Sequence, residues 1–151
     1  ALLLLAGLAT YNIVTQGNRV TEGLRLLNTI KVGVQNLYQN QSLYTGLTTV
    51  IAIGGGVVPQ RYVDTSTTPD SIIGPWGENV TVAVDGADAD EFDVQFQNMP
   101  LEACNQMGVA FSAADSDFVQ VSIGGTDITA PDVANVQAAC TAGTNMTWQF
   151  R

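Results

Sequence analysis

Fourteen carboxylates, two cysteines and no histidine bound the chemistry open to this 151-residue chain. The densest acidic run holds Asp85, Asp88, Asp90, Glu91 and Asp93, hard oxygen ligands of the kind Ca2+ takes. Its spacing departs from an EF-hand loop, with no glycine at the sixth position and no glutamate at the twelfth. The run is therefore read as a solvated acidic loop and no metal site is assigned. If a cation bound there, Asp88, Asp90 and Asp93 would be its ligands. Without histidine, a Ser-His-Asp or Cys-His pair cannot form. Glycoside cleavage needs two particular acids held across a bond, and nothing singles out two. Gly54-Gly55-Gly56 lacks the following Gly-Lys-Ser/Thr of a phosphate loop, so it reads as a hinge or turn. No enzyme and no cofactor is expected.

Cys104 and Cys140 are the only cysteines. An even count in an exported domain favours a disulfide. It would close a loop of about 37 residues and contribute about 3–4 kcal/mol in the chain-entropy model. Two free buried thiols are the alternative, and a zinc site is disfavoured because there is no C-x-x-C pair. Trp76 and Trp148 have the chemistry of surface stacking residues, but their contexts favour the interior. Trp148 alternates with Met146 and Phe150, and Trp76 sits between Pro75 and Gly77 as a plug for that loop. Asn40, Asn79 and Asn145 match N-x-Ser/Thr, which matters only in a eukaryotic secretory route.

The elements that hold these residues begin with an apolar run, Ala1 to Ala9. As a helix, Ala1–Val14 rises only about 21 Å, short of the ~30 Å of a bilayer core. A signal peptide would carry a basic n-region and a small-residue cleavage site. A core helix is a further alternative, and the run is read in preference as part of a longer membrane helix. From Val20 the period is helical: Val20, Leu24, Leu27, Ile30, Val34, Leu37 and Tyr38 recur at three and four and make one apolar stripe. Leu26 lies off its centre and is free to face a neighbour. Gly17-Asn18 is the weakest point of the helix, since both residues disfavour helical backbone.

Beyond Gln41 the period stops. Leu43–Ile53 is rich in β-branched residues, and glycines and prolines mark loops to about residue 78. Strands are predicted at Asn79–Val84, Phe92–Gln97, Phe118–Ile123 and Asn145–Phe150 from their alternation. Asp85-Gly86 signals a turn, which the acidic residues to Glu91 lengthen. Short helices are predicted over Leu101–Gly108 after Pro100, and from Pro131 or Asp132 through Ala139. The fold class is α+β, one long helix laid on an antiparallel sheet.

Charge divides the chain. Residues 1–63 hold Arg19, Arg25, Lys31 and Arg61 against Glu22; residues 64–151 hold Arg151 against thirteen acids. The acidic part repels nucleic acid, so none is expected as a partner. Arg19, Arg25 and Lys31 are candidate partners for the acidic surface of a neighbouring copy.

The sequence resembles the type IVb pilins, specifically the PilS-type major pilins of enteric thin pili. The residues that carry the likeness are the helix Tyr11–Gln41 followed by SLYTGLTT, then GPWGENVTV at 74–82 and FDVQFQNMPLEAC at 92–104. The order Cys140 and then NMTWQF at 145–150 completes it. The resemblance implies a type IV pilin-like fold, with a long N-terminal helix, an antiparallel sheet and a C-terminal region bounded by the disulfide. It implies a helix at 1–41, with an apolar filament-core part at 1–18 and an amphipathic part at 19–41, and a globular head at 42–151. Leu2, Leu3, Leu4, Leu5, Leu8, Ile13 and Val14 would form the filament core. The implied function is an extracellular pilus subunit, held in the inner membrane before assembly. It would serve adhesion, aggregation or conjugative contact. Its partners would be copies of itself, the inner-membrane assembly machinery and a host or recipient cell receptor. A processed, methylated first residue and a glutamate five residues in belong to the family pattern. The first acidic residue here is Glu22, so those assembly residues are not carried over. The alternatives are a minor pilin or calcium-dependent pseudopilin of a secretion system, and a receptor-binding adhesin module.

Overall fold

The computed structural model describes residues 2–151, with side chains from Arg19 onward. Helix α1 runs Leu2–Leu37. The proposed filament-core residues and the Gly17-Asn18 pair lie outside the described side chains. Val20, Leu27, Ile30 and Val34 are buried, as their three- and four-residue spacing requires, and Leu24 and Tyr38 are half-buried. Two residues differ from expectation. Leu26 is 1% exposed, because α1 is covered by a further helix, Leu101–Met107, as well as by the sheet. Leu37 is 41% exposed, because it closes the helix beside the surface residues Val50 and Ile51. The helix ends four residues before Gln41. Gln39 N–H already bonds the carbonyl of Asn36, and Gln41 N–H that of Tyr38, the tightened pattern that finishes a helix without an apolar partner.

The segment Leu43–Ile53 forms a short helix, α2 (Thr49–Gly54), rather than anything extended. Thr48 supplies the N-cap, its hydroxyl accepting from Ile51 N–H at 3.2 Å, and a capping oxygen of this kind outweighs β-branched propensity over so short a run. Next come β1 (Val63–Asp64) and β2 (Ser71–Ile73), then β3 (Asn79–Val84) and β4 (Phe92–Met99). After α3 (Leu101–Met107) follow β5 (Phe118–Ile123), β6 (Thr126–Ile128), α4 (Val133–Ala139) and β7 (Thr144–Phe150).

The seven strands form one antiparallel sheet in the order β1-β2-β3-β4-β7-β5-β6. The last strand is thus inserted between β4 and β5, and its Met146, Trp148 and Phe150 complete the core face. Phe92, Val94 and Phe96 alternate inward on β4 and meet them across the ladder. Burying each such aromatic or aliphatic side chain contributes about 1.5–3 kcal/mol, so the centre of the sheet dominates the head's stability. A run of ring contacts, Tyr38–Tyr44, Tyr44–Phe92 and Phe92–Phe150, ties the end of α1 to that centre. Among the described residues, no helix is long and apolar enough to cross a membrane.

Candidate assembly surface

The outward face of α1 carries Arg19, Glu22, Arg25, Asn28, Thr29 and Asn36, all exposed, together with Val32 at 48% exposure. Arg19 and Arg25 have no ion-pair partner among the described residues, where Lys31 with Asp117 forms the one salt bridge. Arg25 opens a groove of about 720 Å³ that continues past Asn28, Val32 and Gly33 to Val57.

Lys31 differs from the two arginines. Its Nζ lies 2.7 Å from Asp117 Oδ2 and over the rings of Phe111 and Phe150 at 5.1 and 5.6 Å. Gln35 donates to the same carboxylate and to the carbonyl of Arg151. Burial pushes the Asp117 carboxyl up, but the hydrogen bonds and charge of Lys31 and the Gln35 amide outweigh it and hold the group low. Lys31 is thus engaged within its own chain, locking α1 to the loop before β5. The sequence offers no signal for this, because the partner lies 86 positions away.

The acidic run folds as the loop between β3 and β4. Asp85 accepts from the N–H groups of Ala87 and Asp88 at 3.0 and 2.9 Å, an Asx turn. Ala89 accepts from Tyr44 N–H at 2.7 Å, so the loop is fastened beyond the end of α1. The carboxylates brought together are Asp85, Asp88 and Glu91, within 4.8 Å of one another. Asp88 alone is shared with the set Asp88, Asp90 and Asp93 read from sequence. Asp90 is exposed, and Asp93 already belongs to β4, where it pairs across the ladder with Ala83 and Gln149. Asp93 is pushed up to about 7 by burial, then by the charge and hydrogen bond of Asp85 and by Glu91. Glu91 is also raised, by burial and by Asp88 and Asp90, and accepts from Gln149. Tyr44 is raised by burial and by Asp117 and Asp90. One end of the head is therefore strongly electronegative.

Cys104 and Cys140 form a disulfide, with their Cα atoms 5.9 Å apart, joining α3 to the end of α4. Asp132 and Asn135 make a reciprocal capping box at the start of α4, which fixes where that helix presents Cys140. Trp148 is fully buried with its ring edge-on to Phe96 at 5.4 Å. Trp76 is half-buried, packed over Gly23 of α1.

A long helix on an antiparallel sheet, with a disulfide fastening the late helices, is the fold of the type IVb pilins. Solved structures that share it include the following two. A type IVb pilin from Salmonella typhi superposes with a TM-score of 0.64 at 20% identity, covering 89% of this chain and 97% of that one. TcpA, a type IV pilin from Vibrio cholerae El Tor biotype, gives 0.63 at 13% identity, covering 87% and 98%. The family model described as PilS N terminal matches residues 18–150, and the chain belongs to that family. Among curated proteins no significant match is found.

Proposed function

We propose that the chain is a structural subunit of an extracellular type IVb pilus, polymerising through α1. The observation that carries this reading is the division of labour along one helix in a chain of the PilS family. The buried stripe Val20–Val34 belongs to the head, while the sequence of residues 1–9 is wholly apolar and needs shielding that copies of itself would supply. Leu2, Leu3, Leu4, Leu5, Leu8, Ile13 and Val14 form the filament core in this reading, and the acidic heads form its surface. The subunit waits in the inner membrane for the assembly machinery. The finished filament serves adhesion, aggregation or conjugative contact with a receptor on a host or recipient cell.

Deletion of residues 1–18 tests polymerisation. The expected product is a soluble monomer by analytical ultracentrifugation, with the circular dichroism of a folded head. Filaments seen by negative stain in that variant would place the core elsewhere.

A further inference from the structure

The turn between β2 and β3 holds the most deeply buried acid among the described residues. Glu78 is 5% exposed. Its Oε2 accepts from Trp76 N–H at 2.8 Å, while its Oε1 has no hydrogen-bond partner among the described residues. The carboxyl packs against Gly74 with Oε1 nearest, where a built Cβ would come within 1.7 Å of that oxygen. The turn is closed by Gly74 N–H to the carbonyl of Glu78 at 2.9 Å and Gly77 N–H to the carbonyl of Gly74 at 3.0 Å. From this platform the Trp76 ring reaches α1. A Cβ at Gly23 would lie 2.8 Å from the ring and 3.1 Å from the sulfur of Met107. The indole Nε1 is likewise buried without a partner.

We propose that Gly74–Glu78 is a proton-gated latch on α1. With Glu78 protonated the turn is closed and Trp76 is seated over Gly23; when Glu78 loses its proton, the turn swings out and frees the helix around Val20–Leu24. An ionised carboxylate with one unpaired oxygen in an apolar site is costly. Hydrating it requires only that an exposed hairpin turn give up its ring contact, because Gly77 is already at the surface. The charged residues on the surrounding elements do not relieve it. Arg19, Glu22 and Arg25 on α1 and Glu102 on α3 are all exposed, and β2 and β3 carry no charge. Burial raises the Glu78 carboxyl, against the backbone N–H groups of Glu78 and Trp76, which moves the switch upward from the ordinary glutamate value. The latch belongs to the single subunit and operates whether or not the chain forms filaments.

Hydrogen–deuterium exchange on the full chain in a neutral detergent tests it, read on peptides covering 19–24 at about pH 4 and about pH 9, which bracket any upward shift of the carboxyl, and corrected for intrinsic exchange. The β5 peptide serves as the reference for global opening. The expected result is several-fold faster opening at 19–24 at the higher pH, with no matching change in β5. Glu78→Gln should abolish the difference and stay closed, and Trp76→Leu should open the helix at both values. Equal corrected exchange in the unaltered chain overturns the latch, whether or not the variants fold. A pH dependence that survives in Glu78→Gln overturns it as well.

Discussion

Asp93 shows how a single side chain takes its chemistry from neighbours that the pattern of its own strand does not reveal. As the second residue of β4 it reads as an ordinary outward-facing acid, since Phe92 and Val94 take the core side. The turn that follows β3 sets Asp85 against it, and the two carboxyls share a hydrogen bond, with burial raising Asp93 to about 7. The sign of the pH effect follows. The unfolded chain releases this proton near the ordinary aspartate value of about 4, while the folded chain keeps it until about 7. The head therefore loses stability as pH rises between those limits and is unaffected by this group below them. Asp93→Asn removes the charge and keeps the shape. Urea unfolding should show the variant more stable by about 1 kcal/mol at pH 8, a figure kept small because the group is half-exposed and screened, and equal to the unaltered chain near pH 4. A variant no more stable at high pH would mean that the pair does not share a proton. Asp117 works in the opposite sense, since Lys31 and Gln35 hold it low. Its contribution is present at neutral pH and fades as pH falls through its folded value.

Elements with a strong period were legible, and those defined by their partners were not. The strands at 79–84 and 118–123 coincide with β3 and β5 because Val80 and Val82 on the one, and Val121 and Ile123 on the other, alternate onto the core face, although β5 shifts register between Phe118 and Gln120. α4 was placed by Asp132, which does cap it. By contrast β1, β2 and β6 have two or three residues each, too few to show a period. Thr49 illustrates the same limit in α2. Its hydroxyl accepts from Val82 N–H at 3.0 Å and reaches the carbonyl of Val82 at 3.4 Å, so a helix side chain serves the β3 edge beyond β2's reach. No local signal encodes that. The cysteines could be paired from their number alone, and the structure adds what the bridge does: it binds α3, which packs on α1, to α4. Cys104→Ala with Cys140→Ala opens a loop of separation 36 and should cost about 3–4 kcal/mol in the chain-entropy model. The test is the unfolding free energy from urea titrations with the slope fitted for each protein, since opening the bridge also expands the unfolded chain. A loss below about 1 kcal/mol would show that the helix contacts already restrict this loop in the unfolded chain.

Taken as one body, the head is electrically polar along α1. Arg19 and Arg25 have no ion-pair partner among the described residues, and the loop Asp85–Glu91 lies past the far end of the helix, fastened to Tyr44. Arg19 and Leu37 are separated by about 27 Å of helix, so the two charges cannot meet within one subunit. Successive copies stacked head to tail would bring them together, in an open arrangement that repeats without closing. Each exposed pair is worth only about 0–1 kcal/mol, yet the term recurs at every subunit and weakens with salt. We therefore expect Arg19→Glu with Arg25→Glu to reduce filament yield, most at low salt, while the thermal midpoint of the head stays unchanged. Lys31 supplies the control. The sequence grouped it with the two arginines, but its charge is already neutralised by Asp117 and sheltered by Phe111 and Phe150. Lys31→Glu should accordingly lower the thermal midpoint of the head itself, because it sets a second carboxylate against Asp117 in a partly buried site. Sedimentation of filaments and thermal melts of the same preparations separate the two effects. Normal filament yield from the double arginine variant would leave these residues with no task beyond keeping the helix face wetted. A yield that falls only when the melt also falls would place their effect in folding rather than in contact between copies.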